Sequence, residues 1–395
     1  MPIEGEITVD GQEDLQDTEV PRAPSTQVPA TGRLAGLCAR LNSLRPYRRA
    51  RYALFKLRTV HFSSGLLLAA ASRVSPRVSQ WMNSSNRYAQ WYSRFVERRI
   101  AGTQFFHTID VETTNVCNAK CVFCPYPIMT RAKYSMKDDE YLRIIRKIAT
   151  HPHKPKTLCF SFFGEPFVDK ALCGRIRSAR RELGRSVVLS VTTNGSLIRG
   201  ETINDVLTSG IDIVNISFNG LDKTDYENSM KLRFDITDQN VRKLLAARRS
   251  RGLLRPYIHI GCVMHSGNAG MEVASFLAKW KTAGADTVAV YPMNKHHEII
   301  QVGAHPKLAK KDSRYYPCRS LWTDCVIASS GDISICCIDY DGKYKLGNVF
   351  EDDWTTLFNN SQRRAYQDLH RANRAGEIGI CSNCDSPRSN SAWLV

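Results

Sequence analysis

From about residue 105 the chain alternates between short apolar runs of strand length and longer amphipathic stretches with a helical period. The runs Phe105–Thr113, Leu158–Phe163, Val187–Thr193, Ile211–Phe218, Tyr257–Met264 and Thr287–Tyr291 predict six strands. Between them, Met136–Ala149, with Ser135 as its N-cap, and Ile236–Arg249 predict helices. Six β-then-α units in succession predict an α/β fold with a parallel sheet and right-handed crossovers. In such sheets ligands gather beyond the carboxyl ends of the strands, so the residues just after each strand are where chemistry is sought.

The first hundred residues follow a different pattern. Residues 1–30 carry seven acids against Arg22, and residues 31–100 carry fourteen Arg and Lys against Glu97, within a chain of net charge +17. Residues 1–32 are expected to be a disordered acidic tail, because they lack an apolar period. Residues 33–103 are expected to form a basic helical extension with apolar patches such as Leu34, Leu37, Leu41 and Leu44, and later Trp81, Tyr88, Trp91, Tyr92 and Phe95. Such helices pack on a main domain or lie on an anionic membrane face; no nucleic-acid module accompanies them, so no nucleic-acid partner is expected. The longest apolar run, Gly65 to Ala71, falls far short of the roughly 20 residues that span a bilayer. Thirteen cysteines diluted through a chain this large, with no starting signal peptide, point to a reducing compartment. The expectation is a cytoplasmic protein, with peripheral membrane contact through residues 33–103 as the variant arrangement.

The first predicted strand leads into Val116-Cys117-Asn118-Ala119-Lys120-Cys121-Val122-Phe123-Cys124-Pro125. Three thiolates at the spacing C-x3-C-x2-C can turn to one point, which suits soft metal ligation and leaves one coordination position open. A structural zinc would require a fourth ligand, whereas a [4Fe–4S] cluster on Cys117, Cys121 and Cys124 offers its remaining iron to a substrate or cofactor.

This spacing, with an aromatic before the third cysteine, resembles the signature of the radical S-adenosylmethionine (SAM) superfamily. Other strand ends agree. Gly164-Glu165-Pro166, with Phe163 where the family has its first glycine, looks like the GGEP motif that holds the SAM amino group. Thr192-Thr193-Asn194-Gly195 is similar to the family's TTNG turn, and Ser217 matches a hydroxyl that contacts SAM. Arg233 is either a partner for the SAM carboxylate, as an Arg downstream of Tyr226 is in relatives, or a solvated surface side chain. The resemblance implies a partial (β/α)6 barrel over residues 104–300.

Residues 301–395 require a second, smaller domain. Cys318, Gly331 and Cys336 read C-x12-G-x4-C, with a hairpin after Ser330-Gly331-Asp332, a helix over Trp354 to Ala372, and then Cys381-Ser382-Asn383-Cys384. The arrangement resembles the Twitch domain, a shortened SPASM domain, of radical SAM enzymes. That resemblance implies an auxiliary [4Fe–4S] cluster on Cys318, Cys336, Cys381 and Cys384, with Cys337 competing for the place of Cys336. A structural zinc on the same four thiolates is the alternative.

Carried through, the resemblance implies SAM and two [4Fe–4S] clusters as cofactors, an external donor such as flavodoxin or ferredoxin, and a 5′-deoxyadenosyl radical that abstracts hydrogen from a substrate. The layout looks most like 2-deoxy-scyllo-inosamine dehydrogenase and sugar or aminoglycoside radical epimerases, which implies a small, sugar-like substrate and either dehydrogenation or epimerisation. An epimerase needs a hydrogen donor, for which Cys262 qualifies if its side chain points inward; Cys325 is the second candidate, and Cys38, Cys159 and Cys173 are read as structural. His296, His297 and Asn294 follow the sixth strand as substrate contacts or linker residues. The competing functions are a maturase acting on a peptide and a zinc-bearing nucleic-acid binder.

Overall fold

The computed structural model describes Arg94, Glu97, Arg98, residues 104–293 and residues 317–384. The acidic tail, nearly all of the basic extension, Asn294, His296, His297 and the 300/301 boundary lie outside the described residues. Six strands are seen where the sequence predicts them: β1 (Thr108–Val111), β2 (Thr157–Phe160), β3 (Val188–Thr193), β4 (Ile213–Ser217), β5 (Tyr257–Met264) and β6 (Thr287–Pro292). Helices α1 (Asp138–Thr150), α2 (Leu172–Leu183), α3 (Glu201–Thr208), α4 (Lys223–Met230), α5 (Phe234–Ser250) and α6 (Ala274–Ala283) lie between them. Strands β1 to β6 pair in parallel and in chain order, as right-handed β-then-α units must if each helix is to cover its own strands. The sheet does not close on itself, so the fold is a partial barrel.

The first strand is shorter than its apolar run. Phe105 and Phe106 precede it and pack on Trp354 and Phe358, with ring centroids 5.1 Å and 5.3 Å apart. Helix α1 begins two residues later than predicted, and Lys137, not Ser135, occupies its N-cap. The Glu140 carboxylate accepts the Lys137 amide at 2.7 Å, supplying the reciprocal half of a capping box. Ser135 instead donates to Thr114 Oγ1 at 2.7 Å and ties the far end of the cysteine excursion back to β1.

The C-terminal segment joins the same sheet. Strand β7 (Asp324–Ile327) runs parallel to β1, with Thr108 beside Asp324 and Val111 beside Ile327, and β8 (Asp332–Ser334) and β9 (Lys345–Asn348) continue it antiparallel. The predicted hairpin is present, but it extends the barrel sheet to nine strands rather than forming a separate layer. The single helix read over Trp354 to Ala372 is two, α8 (Trp354–Phe358) and α9 (Ser361–Arg371). The break falls at Asn359-Asn360, where the Asn360 side chain accepts the Arg363 amide at 3.0 Å and starts a new helix.

Side chains alternate across the pleat, and register carries that alternation from strand to strand. One row holds Ile109, Leu158, Leu189, Val214, Ile258 and Cys325, all buried in a single hydrophobic core with the helices. The opposite row holds Thr108, Asp110, Cys159, Ser190, Thr192, Asn215, Ser217, His259 and Asp324. This polar row is the inner face of the partial barrel.

Candidate functional site

The loop after β1 carries Cys117, Cys121 and Cys124, and the chain's own donors shape it. Tyr126 Oη accepts the Cys117 amide at 2.8 Å, and Val116 O accepts the Glu165 amide at 2.9 Å. Asn118 accepts from Asn194 Nδ2 at 2.9 Å and donates to Ser196 Oγ at 2.9 Å, which fastens the cysteine loop to the turn after β3. The Val122 amide donates to Ser229 O at 2.9 Å, so the loop also rests on α4.

Each thiol is at least half-sheltered. Burial pushes Cys117 up to about 12, with the charges of Glu165 and Cys124 adding to the shift, and burial and the other two sulfurs raise Cys121. Left as free thiols, these groups stay protonated at neutral pH; a metal deprotonates a ligating thiol outright. The donor set fits an iron–sulfur cluster. The Ala119 amide lies 3.4 Å from Cys117 Sγ and the Tyr126 amide 3.5 Å from Cys124 Sγ, so these two sulfurs each receive an N–H from the residue two places on. Such bonds stabilise negative sulfur and tune a cluster's potential. Among the described residues no three His, Cys, Asp or Glu side chains converge on a point that would hold one metal ion. A four-iron cluster does not ask for that, because each thiolate binds a different iron.

Gly164 sits where no other residue fits, because a Cβ there would lie 2.1 Å from the Thr114 carbonyl oxygen. Glu165 follows, 2% exposed. Its carboxylate accepts Thr193 Oγ1 at 2.6 Å, the Asn194 amide at 2.7 Å and the Phe167 amide at 3.1 Å. Burial raises its pKa to about 6, and these donors pull against that rise. A carboxylate has about four lone-pair sites, so one site of Glu165 remains. Asn194 is equally committed, accepting from Ser196 through Oδ1 at 2.9 Å and 2.6 Å. Ser217 stands at the end of β4 on the polar inner row, half-buried, while Arg233 is the exposed N-cap of α5. Pro166 opens a short 3-10 turn that Glu165 caps.

Cys262 does not meet the condition set for a hydrogen donor. It follows Ile258 and Ile260 on the helix-facing row of β5, is 0% exposed and belongs to the hydrophobic core, while His259, Gly261 and Val263 take the inner row. Cys325 falls on the same core side of β7. The thiol on the inner row is Cys159, which the sequence reading treated as structural; it contacts Ser161 Oγ at 3.1 Å and neighbours Asp110. Asp110 is the residue that sequence reasoning missed. Burial and the charge of Asp324 raise its carboxyl to about 8.

The second cysteine set gathers around the N-terminal end of β7. Cys318 precedes it through the short helix α7 (Ser320–Thr323); Cys336 and Cys337 follow β8, which runs back antiparallel, and Cys381 and Cys384 flank the end of α10 (Gly379–Ser382). Burial raises Cys336, Cys337 and Cys381, with the charges of Cys318 and Cys384 adding at Cys337 and Cys381 and those of Cys337, Cys318 and Cys381 adding at Cys336, so all these sulfurs share one neighbourhood. Cys336 is half-buried against the core and takes the Ile338 amide, and Cys318 takes the Ser320 amide, the same two-residue pattern as in the first set. Cys337 is exposed. The first set follows the C-terminal end of β1 and the second lies by the N-terminal end of its parallel neighbour β7, so about 10 Å of strand separates them. Asp110, Asp324 and Cys159 lie on the inner row along that span.

Residues 111–277 match the Radical SAM superfamily, and residues 318–385 match the SPASM iron–sulfur cluster-binding domain. Among curated proteins, the chain is 26% identical over 161 residues to the tungsten-containing aldehyde ferredoxin oxidoreductase cofactor-modifying protein of Pyrococcus furiosus, covering 40% of this chain and 44% of that one. It is 31% identical over 139 residues to a probable GTP 3′,8-cyclase of Pyrococcus abyssi, covering 35% and 42%. The chain thus spans less than half the length of either relative. Among solved structures, BtrN in complex with AdoMet and 2-DOIA covers 73% of this chain and 98% of its own at 15% identity and a TM-score of 0.50. SuiB of Streptococcus suis bound to its precursor peptide SuiA covers 75% and 74% at 18% identity and a TM-score of 0.54. These likenesses establish the fold. With the cysteine loop, the partial barrel and the C-terminal cysteine set in this order, the chain carries a radical SAM domain followed by a SPASM-type domain, and the two domains imply SAM and [4Fe–4S] clusters as cofactors.

Proposed function

We propose that this radical SAM enzyme acts on a small, hydroxyl-rich substrate of the carbohydrate or aminocyclitol type and oxidises it. When bound, SAM and the first cluster supply a 5′-deoxyadenosyl radical able to take hydrogen from an unactivated C–H bond. In this reading Cys117, Cys121 and Cys124 hold that cluster, and Cys318, Cys336, Cys381 and Cys384 hold the auxiliary one. The remaining lone pair of Glu165 and the backbone around Gly164 and Pro166 would hold the SAM ammonium. Ser217 contributes a hydroxyl, and Asn194 keeps the turn after β3 against the cysteine loop. Arg233, exposed at the N-cap of α5, would be the partner for the SAM carboxylate.

The observation that carries the substrate class is the inner row of the sheet. Between the two cysteine sets it offers hydroxyls, carboxyls and a thiol, with Asp110 and Asp324 one strand apart. A polyol can exchange hydrogen bonds with such groups, whereas an apolar side chain of a peptide has none to offer them. Dehydrogenation is the reading we take, because the two candidate donors on β5 and β7, Cys262 and Cys325, face the core; an epimerase would have to use Cys159, the thiol on the inner row. The fold itself does not choose between substrates, since BtrN holds 2-DOIA and SuiB a precursor peptide on it.

The test is to supply reconstituted, reduced enzyme with deuterated aminocyclitols and sugars in one series and with peptides in another. Deuterium recovered in 5′-deoxyadenosine, with a product that has lost that deuterium and one hydrogen, is expected from the first series. Transfer from peptides alone would replace the reading with that of a maturase.

A further inference from the structure

Among the described residues outside the cysteine sets, Glu112, the residue after β1, is one of the most heavily engaged side chains. Its side chain is 0% exposed and accepts four bonds. Arg131 Nη1 and Nη2 reach its two oxygens at 2.7 Å and 2.8 Å, the Phe163 amide donates at 3.2 Å and the Ser329 amide at 2.9 Å. The planar fork of an arginine matches a carboxylate in this two-bond fashion, which fixes orientation as well as distance.

Those partners come from separate parts of the machinery. Arg131 belongs to the excursion that follows the first cysteine set. Phe163 adjoins Gly164 and Glu165. Ser329 follows β7. Arg131 also donates through Nε to Tyr340 O at 2.6 Å, four residues beyond Cys336, and the neighbouring Thr130 amide donates to Asp341 Oδ1 at 2.7 Å. The rings of Phe163 and Tyr340 meet edge to face at 6.0 Å. A cavity of about 460 Å³ opens beside the junction, and Arg131 keeps 13% of its side chain exposed there.

We infer that the Glu112–Arg131 pair is the positioning element that fixes the loop carrying Cys336 against the Gly164–Glu165 loop, and so sets the geometry between the two iron–sulfur centres. Neither residue touches the reacting atoms. Cleaving the pair frees Tyr340 and Asp341 from the core while β7 stays paired with β1, so the auxiliary loop shifts without loss of the sheet. The inference holds for any substrate, because it concerns the distance and orientation of the two centres.

The experiment uses full-length, reconstituted protein with Glu112→Gln, Arg131→Lys and Asp341→Asn. Hydrogen exchange at residues 336–345 should rise at least about tenfold in Glu112→Gln, since one buried partner loses its charge, and by less in the other two variants. Exchange in β5 and β6 should stay as in the wild type. Iron content should stay near two clusters, while the dipolar interaction between the two reduced centres, read by electron paramagnetic resonance, changes in Glu112→Gln and follows the same order through the series. Should Glu112→Gln fail to fold, Arg131→Lys and Asp341→Asn carry the same two readouts. Unchanged dipolar interaction in every folded variant would overturn the inference. So would exchange that rises equally throughout the sheet, because that marks a residue that stabilises the whole fold.

Discussion

The two cysteine sets are built in opposite ways. The first lies within one loop of eight residues, and its geometry follows from local turns in which Cys117 and Cys124 each meet an amide two residues on. The second draws on three separated pieces of chain, before β7, after β8 and around α10, brought together by a strand pairing between segments more than two hundred residues apart. A local set tolerates changes elsewhere in the fold; a dispersed one depends on all of its supports. Yet both use the same amide-to-sulfur bond at Cys318 and Cys336 as at Cys117 and Cys124.

The strongest way to break that comparison is to delete the local set. Replacing Cys117, Cys121 and Cys124 by Ala should abolish SAM cleavage and lower iron from about eight to about four per chain, measured by iron and sulfide analysis with assay of 5′-deoxyadenosine. Loss of all iron would mean that the second set depends on the first. A single exchange sharpens the contrast within the dispersed set. Cys336→Ala should lose the auxiliary cluster and its electron paramagnetic resonance signal while SAM cleavage persists, and Cys337→Ala should retain both. The reverse result would hand the ligand role to the exposed neighbour.

A smaller effect tests the span between the sets. Asp110, raised to about 8, holds its proton when folded where an unfolded Asp has lost it, so it makes folding stability fall as pH rises from about 4 to about 8. Asp110→Asn should remove that slope. Its melting temperature relative to wild type should increase from pH 5 to pH 8, and a constant difference would place the charge elsewhere. The smallest effect belongs to Cys262→Ala, which should leave product and stereochemistry unchanged and cost about 1 kcal/mol of stability, the order expected for a small core cavity. Loss of one product isomer would restore it as a donor.

The sequence made the parallel core legible because apolar runs and turn signals repeat with little interference. The cysteine loop was equally plain, since its residues are neighbours in the chain. Cys262 was misjudged although its signal was present. In Tyr257-Ile258-His259-Ile260-Gly261-Cys262-Val263-Met264, the alternation assigns Cys262 to the row of the isoleucines. The Asn359-Asn360 break was readable on the same terms, because Asn at the start of a helix competes with helix continuation. Two features were not local and so could not be read. The pairing of β7 with β1 is set by long-range packing, and the four bonds on Glu112 come from residues 19, 51 and 217 positions away.

That pairing bears on how the protein can be cut. With β7 in place, β1 has a partner on both sides; with the C-terminal segment removed, it would become an unprotected edge bearing unpaired amides and carbonyls. A chain shortened before Cys318 would therefore offer a docking strip to other copies and tend to precipitate. The iron–sulfur domain acts as a seal on the barrel, and transplanting it or replacing it with a domain from another protein would require a donor strand in the same parallel register.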